Sequence, residues 1–123
     1  MFTFDKSQRL NSRKRIGNLF SEGGSFLVWP LSVRYITMQG QGEASVVIIC
    51  PKRYQKLAVR RNRMKRLMRE TYRKNSIGLK TCLKQNRQNM DIAFTFVSEK
   101  TVNYNHMESL MVQALANLQQ KAL

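Results

Sequence analysis

Residues 51–75, PKRYQKLAVRRNRMKRLMRETYRKN, form the stretch around which the rest of the chain is organised. They include eleven Lys or Arg and one acid, Glu70, for a formal charge of +10. From Leu57 onward, core-type side chains recur every three or four residues, which predicts an amphipathic helix with one face on a core. These positions are Met64, Leu67, Met68, Thr71 and Tyr72. At about 100° per residue, the opposite face is a polar and cationic row. The row consists of Asn62, Lys65, Arg66, Arg69 and Arg73.

The start of this helix is unusual because Arg60, Arg61 and Arg63 lie in its first turns. The helix dipole disfavours positive charge there by about 0.3–1 kcal/mol per exposed residue. No Ser, Thr, Asp or Asn stands nearby as an evident N-cap, so backbone amides are left without partners. A bound phosphate would satisfy both the arginines and the amides. A solvated helix face usually mixes charge signs, so binding of a polyanion explains this stretch better.

The composition of the whole chain describes a folded basic protein. Its 123 residues carry a net charge of +15 with 42% hydrophobic residues, which predicts a single domain over 1–123, with a short polar arm at 1–10. Nucleic acid is the expected partner. No apolar run approaches the roughly 20 residues of a membrane span, and the N-terminus lacks the apolar segment of a signal peptide. We therefore expect a cytoplasmic protein.

A first helix is predicted between a cap at Asn11 or Ser12 and a stop at Gly23-Gly24. Its apolar stripe consists of Ile16, Leu19 and Phe20. Its first turn holds a secondary basic cluster, again at the end that disfavours cations. The cluster consists of Arg13, Lys14 and Arg15. We interpret it as a second phosphate-seeking site.

The remaining elements follow from residue patterns. Residues 25–38 predict one bent edge strand or two short strands around Pro30. Residues 44–50 are apolar nearly throughout and predict a central strand covered on both faces, and 90–97 predict another strand. Residues 79–83 form either a short helix or an ordered loop. Asn105 and Glu108 resemble a capping box that opens a last helix. The order αβββαβα predicts an α+β two-layer sandwich with a four-stranded sheet.

Residues suited to catalysis by the protein are sparse. The seven acids are scattered singly, whereas a two-metal nuclease site needs several carboxylates together. His106 is the single histidine and is interpreted as a surface or packing residue. No phosphate loop, Walker motif or zinc spacing occurs. Cys50 and Cys82 are interpreted as free thiols.

The aromatic residues allow two interpretations. Phe20 is favoured as a core residue, with stacking on an unpaired base as the alternative. Three others are ambiguous in the same way: Trp29, Tyr35 and Tyr54. Phe94 and Phe96 are predicted to lie in the core.

The stretch KLAVRRNRMKRLMRE, residues 56–70, resembles the signature of the protein component of bacterial ribonuclease P, in which an Arg-Asn-Arg precedes further basic residues. The resemblance extends along most of the chain. It includes the helix that closes on Phe20 and Gly23, the pair Lys52-Arg53 shortly before the signature, and the strand IAFTFV.

The resemblance implies a fold of the ribosomal S5 domain 2-like class and a subunit that assists a catalytic RNA in removing the 5′ leader of precursor transfer RNA. The RNA would carry the chemistry with Mg²⁺, so no catalytic residue, no tightly bound cofactor and no protein partner are expected of this chain. The signature helix would face the catalytic RNA through Arg61, Asn62, Arg63, Lys65, Arg66, Arg69 and Arg73. The leader would bind a cleft formed by Phe20, Ile16, Arg34, Lys52 and Arg53.

This chain departs from the family pattern at two positions. The family commonly has an aromatic residue where this chain has Ile16, and sometimes one near Arg34. We therefore expect weaker base stacking in the cleft, with the charge of Arg34 replacing part of it.

Two other classes of protein fit the composition. Basic helices on α+β domains also occur in ribosomal and general RNA-binding proteins, and basic amphipathic helices bind acidic membranes. The membrane class is the weaker alternative, because the apolar face of the basic helix is better explained by packing on the apolar strands.

Overall fold

The computed structural model describes residues 12–122 and consists of four helices and four strands in this part of the chain. Helices α1 to α4 span Arg13–Glu22, Ala58–Asn75, Ile77–Asn86 and Tyr104–Lys121. Strands β1 to β4 span Gly24–Val28, Leu31–Gln39, Ala44–Ile49 and Gln88–Phe96. The predicted α+β fold with a four-stranded sheet is confirmed. Residues 79–83 lie within a helix, α3, which adds one element to the predicted order. The proposed arm at 1–10 and the candidate cap Asn11 lie outside the described residues.

The strand order in the sheet is β1-β2-β4-β3. β2 is antiparallel to β1 and β4, whereas β3 is parallel to β4. The prediction that 44–50 form a central strand is therefore wrong, because β3 lies at an edge. Its apolar sequence has another cause: alternate side chains point to opposite faces of the sheet, and each face is packed. Val46 joins the main core, while Val47 packs against Leu19 and Ala93.

The main core fills one face of the sheet, which is covered by α2, α3 and α4. Alternate residues of β4, such as Ile92 and Phe94, are fully buried there together with Met68 and Tyr72 of α2. The rings of Tyr72 and Phe94 are tilted, with centroids 5.9 Å apart. α2 is thereby fixed against the sheet along its apolar face.

α1 covers part of the opposite face of the sheet, where it contacts β2 and β4. Ser12 caps it, because the Ser12 hydroxyl accepts a hydrogen bond from the Arg15 amide at 3.3 Å. Leu19 is fully buried against Ala93. The helix ends at Gly23, as predicted, and its backbone approaches β2 closely. A Cβ at Gly23 would lie 2.7 Å from the carbonyl oxygen of Tyr35 and closer still to that of Leu19, so a larger residue would push α1 away.

Two local predictions are settled by the structure. Residues 25–38 form two strands, joined by a turn at Trp29-Pro30. The predicted cap of the last helix at Asn105 is wrong, because Asn103 is the N-cap and its side chain accepts from the His106 amide at 2.8 Å. The helix begins early enough for Tyr104 to pack against the core.

Candidate nucleic-acid interface

The cationic row on α2 lies opposite the buried face, as the helical pattern predicts. Every residue predicted to face the core is buried: Met64, Leu67, Met68, Thr71 and Tyr72. On the other side, Asn62, Arg66 and Arg69 are exposed, and Lys65 is half-buried. α2 begins after Leu57 without a side-chain cap, and its first turn contains no acid. The apolar face is enclosed in the core, so it is not available for insertion into a bilayer.

Arg61 differs from the other arginines at the start of α2. Arg60 and Arg63 are exposed, whereas Arg61 is half-buried. Its Nη1 donates hydrogen bonds to the carbonyl oxygens of Gln55 at 3.0 Å and Lys56 at 2.9 Å. Arg61 therefore links the preceding loop to the helix, and part of its hydrogen-bonding capacity is used within the protein.

Arg73, at the other end of the predicted row, is also engaged. Its Nη2 donates to Glu70 Oε2 at 2.8 Å. This hydrogen bond lowers the pKa of the Glu70 carboxyl below its ordinary value. The part of the row that projects outward is thus its middle, Arg66 and Arg69, and the exposed Arg63 lies beside it.

The loop that leads into α2 presents Lys52 and Arg53, which are both exposed. The loop is folded tightly, since the amides of Tyr54 and Gln55 both donate to the carbonyl oxygen of Pro51 at 3.1 Å. The Arg53 guanidinium lies 4.9 Å from the centroid of the Tyr54 ring. Cations and an aromatic ring therefore stand side by side where β3 passes into α2.

Gln55 anchors this loop, a role that sequence reasoning missed. Its side chain is almost fully buried, and its Nε2 donates to the carbonyl oxygen of Ser98 at 2.8 Å. Ser98 follows β4, so the loop is tied to the central part of the sheet. A glutamine within a basic run gives no pattern by which this contact could be found.

Burial and nearby positive charge both act on Cys50, which directly follows β3. Burial raises the pKa of its thiol, and the nearby cations Lys65 and Arg61 act in the opposite direction. The first turns of α2 thus lie close to the end of β3. The buried strand and the cationic helix form one rigid unit at this corner.

Phe20, on α1, is 39% exposed, so its preferred interpretation as a core residue is wrong. Leu19 occupies the buried position of α1. The Phe20 ring lies instead at the edge of the contact between α1 and the sheet. The Arg34 guanidinium lies 5.2 Å from the centroid of the Phe20 ring, and its Nη1 donates to the Phe20 carbonyl oxygen at 3.0 Å. Ile16 is half-buried against Leu19 and Ala93. Phe20 and Arg34 therefore form an accessible cation–aromatic pair beside the sheet.

The secondary basic cluster is only partly available. Arg13 and Lys14 are exposed. Arg15 instead forms a bidentate ion pair with the buried carboxylate of Asp91, in which Arg15 Nε lies 3.0 Å from Asp91 Oδ2 and Arg15 Nη2 contacts Asp91 Oδ1. The interpretation of Arg15 as a phosphate-seeking residue is therefore wrong, because its guanidinium neutralises an internal acid.

The other aromatic residues divide between core and surface. Phe94 and Phe96 are fully buried, as predicted. Tyr35 is half-buried, with its ring centroid 6.1 Å from that of Phe26. Trp29, in the turn between β1 and β2, is 64% exposed.

The described residues offer few groups for catalysis by the protein. His106 is exposed at the start of α4. Within residues 12–122, no three His, Cys, Asp or Glu side chains lie together in a way that could hold a metal ion. In the same part of the chain, no helix is both long and apolar enough to cross a membrane. Both cysteines are free thiols.

Comparison with known proteins identifies the family of the chain. The ribonuclease P family model matches residues 4–122. The ribonuclease P protein components of two Porphyromonas gingivalis strains are 35% and 36% identical to this chain, with 95% of this chain and 87% of each relative covered. Two solved structures of the Staphylococcus aureus RNase P protein have TM-scores of 0.66 at 19% and 17% identity, covering 92% and 95% of this chain and 98% and 93% of theirs. The chain therefore belongs to the family of bacterial ribonuclease P protein components.

Proposed function

We propose that this chain binds the catalytic RNA of ribonuclease P through α2, and the 5′ leader of precursor transfer RNA through the surface beside α1. In this proposal the assembled ribonucleoprotein works in the cytoplasm. The cleavage chemistry belongs to the RNA with Mg²⁺, an assignment that rests on family membership. The protein supplies positive charge in a fixed arrangement.

The observation that carries the proposal is a group of three arginines that project outward from α2. Arg63, Arg66 and Arg69 are exposed on a helix whose opposite face is fully packed. Because the packed face already holds the helix backbone in place, the backbone does not have to become ordered when these charges bind a partner. Phosphate contacts of this kind supply affinity and orientation for nucleic acids without reading a base sequence.

The leader assignment rests on a second group of residues. Phe20 and Arg34 lie beside the face of the sheet that α1 only partly covers, and Lys52 and Arg53 are exposed in the loop that follows β3. Aromatic rings and cations along an open surface suit an unpaired strand, whose bases stack while its phosphates are neutralised. Arg34 contributes both charge and a packed guanidinium, which supports its predicted role where relatives have an aromatic residue.

The proposal is tested by reconstitution. Purified protein, the cognate catalytic RNA and precursor transfer RNA are combined at low Mg²⁺, and 5′ cleavage is measured by gel electrophoresis. We expect cleavage with protein and RNA together, and none with the protein alone. A general RNA-binding protein of similar charge serves as the control and should not replace this chain. Failure to stimulate the RNA, or cleavage by the protein without RNA, would contradict the proposal.

A further inference from the structure

The face of the sheet that carries α1 has an open row at the end away from the Arg15–Asp91 ion pair. Register aligns Leu27 of β1 with Ser32 of β2, and Ser32 with Thr95 of β4. Thr95 is in turn aligned with Ile49 of β3. These four side chains share one face, since strand residues in register point the same way. Leu27 is 59% exposed and the other three are half-buried.

Trp29 lies in the turn directly beyond this row. A tryptophan normally buries most of its large surface, but Trp29 is 64% exposed. The turn that holds it is anchored on both sides. Val28 pairs with Leu31, and the buried Pro30 accepts a hydrogen bond at its carbonyl oxygen from the Val97 amide at 2.9 Å. The indole is therefore accessible to solvent, and the turn that carries it is held in place by backbone contacts on both sides.

The charges around the row define what can occupy it. Ile49 at its far end is followed, three and four residues later, by the exposed cations Lys52 and Arg53. Arg34 lies two residues after Ser32 on β2 and therefore on the same face of the sheet. No acidic side chain belongs to the row itself. The surface thus combines apolar contacts with flanking positive charge, which complements a single-stranded polyanion that has exposed bases.

We infer that Trp29 is a stacking platform for an unpaired nucleotide of the 5′ leader, at the β1 end of the row Leu27–Ser32–Thr95–Ile49. The inference rests on the proposed function. Neighbouring strands are about 4.8 Å apart, so the row spans about 14 Å. A leader that starts near Lys52 and Arg53 can therefore reach Trp29 only if it is several nucleotides long.

Trp29 is the single tryptophan of the chain, so its emission reports on this position alone. The holoenzyme is assembled from the protein and its catalytic RNA, and precursor transfer RNAs with leaders of increasing length are added. Stacking of a base on the indole should quench the emission once the leader is long enough. Mature transfer RNA, which has no leader, should leave it unchanged. Equal quenching by both substrates, or none by either, would overturn the inference.

Substitution gives an independent readout. Trp29→Ala should weaken binding of a long-leader substrate by between about fivefold and about a hundredfold, the range measured for loss of one base–aromatic stack. Trp29→Phe keeps a stacking ring and should retain most of the affinity. Val112→Ala, which removes an exposed apolar side chain from α4, is the matched control and should bind like the wild type. Thermal unfolding of all variants should stay close to that of the wild type, because Trp29 is largely outside the core.

The outcomes separate this inference from the proposed function. If the wild-type holoenzyme binds substrates with and without a leader equally well, the leader assignment fails and the role of Trp29 fails with it. If the wild type prefers the leader but Trp29→Ala behaves identically, the inference about Trp29 alone is overturned. A loss of affinity that is equal for mature and precursor transfer RNA would also overturn it, since Trp29 would then act outside the leader.

Discussion

Arg61 and Arg66 stand five positions apart in the same basic helix, but they have different surroundings. Arg61 donates to two carbonyl oxygens of the loop before α2. Arg66 is exposed, and no hydrogen bond or ion pair joins it to another side chain in the described part of the protein. Sequence reasoning placed both on the RNA-binding surface, because a one-letter pattern does not reveal which carbonyl groups a folded loop brings within reach. Phe20 illustrates the same point, since Leu19 beside it fills the buried site.

A pair of substitutions should separate the two roles. Arg66→Ala should leave thermal unfolding unchanged and reduce the slope of log affinity for the catalytic RNA against log salt by about 0.7–0.9, the value for one phosphate contact. Arg61→Ala should destabilise the fold by about 1 kcal/mol or more, because two hydrogen bonds from a charged group are lost. Salt-dependent filter binding and urea unfolding provide the two measurements. An unchanged slope for Arg66→Ala would mean that this residue faces solvent in the complex.

At the scale of elements, α1 is held by few contacts, and the ion pair between Arg15 and Asp91 is the most specific of them. Asp91 is buried on β4, while the Arg15 side chain is 47% exposed at the start of α1. The pair fixes where α1 crosses the sheet, and hence where Phe20 and Ile16 stand. A buried carboxylate without its partner is costly, so the position of the helix depends on this contact.

Arg15→Met should therefore destabilise the protein by about 3 kcal/mol, the lower end of the range for breaking a buried pair, since solvent reaches the arginine. Asp91→Asn in the Arg15→Met background should restore part of that loss, because the uncompensated charge is removed. Urea unfolding of both single variants and the double variant measures the coupling. Arg13→Met, at an exposed neighbouring position, is the control and should change stability by less than about 0.5 kcal/mol. If Arg15→Met were as mild as Arg13→Met, the ion pair would not hold α1.

Elements were largely predictable from the sequence, whereas their arrangement was not. The period of the apolar residues located α2, and β-branched runs located β3 and β4. The edge position of β3 could not be found this way, because an edge strand packed on both faces has the same composition as a central one. The partner of Arg15 was likewise hidden, since Asp91 lies far along the chain and looks like any other isolated acid.

For the whole molecule, the distribution of charge matters more than its total. α2 carries eight cations, whereas α4, of the same length of 18 residues, carries only Lys121 in addition to His106. The two helices pack against each other on one side of the sheet. Positive charge in this helical layer is therefore concentrated on α2, so a polyanion is oriented as well as attracted.

The same change of net charge should therefore affect RNA binding differently, depending on which residues are replaced. Replacing Arg63, Arg66 and Arg69 with Gln should reduce the salt slope of catalytic-RNA binding by about 2–2.7, at about 0.7–0.9 per contact. Replacing three exposed cations elsewhere should reduce it by less than about one contact. The control set is Lys84→Gln, Arg87→Asn and Lys121→Gln, in which Asn suits the left-handed conformation of Arg87. Equal reductions in the two triple variants would mean that net charge alone governs binding.

The central position of β4 has a consequence for synthesis of the protein. β4 pairs with both β2 and β3, although it is the last strand within residues 12–122. As the polypeptide leaves the ribosome, the basic residues of α2 emerge before the strand that completes the sheet beneath them. Pairing of distant segments such as Leu31 with Phe96 has to wait until translation has passed β4. A nascent chain that ends before residue 88 contains every cation of α2 but lacks the central strand that joins β2 to β3.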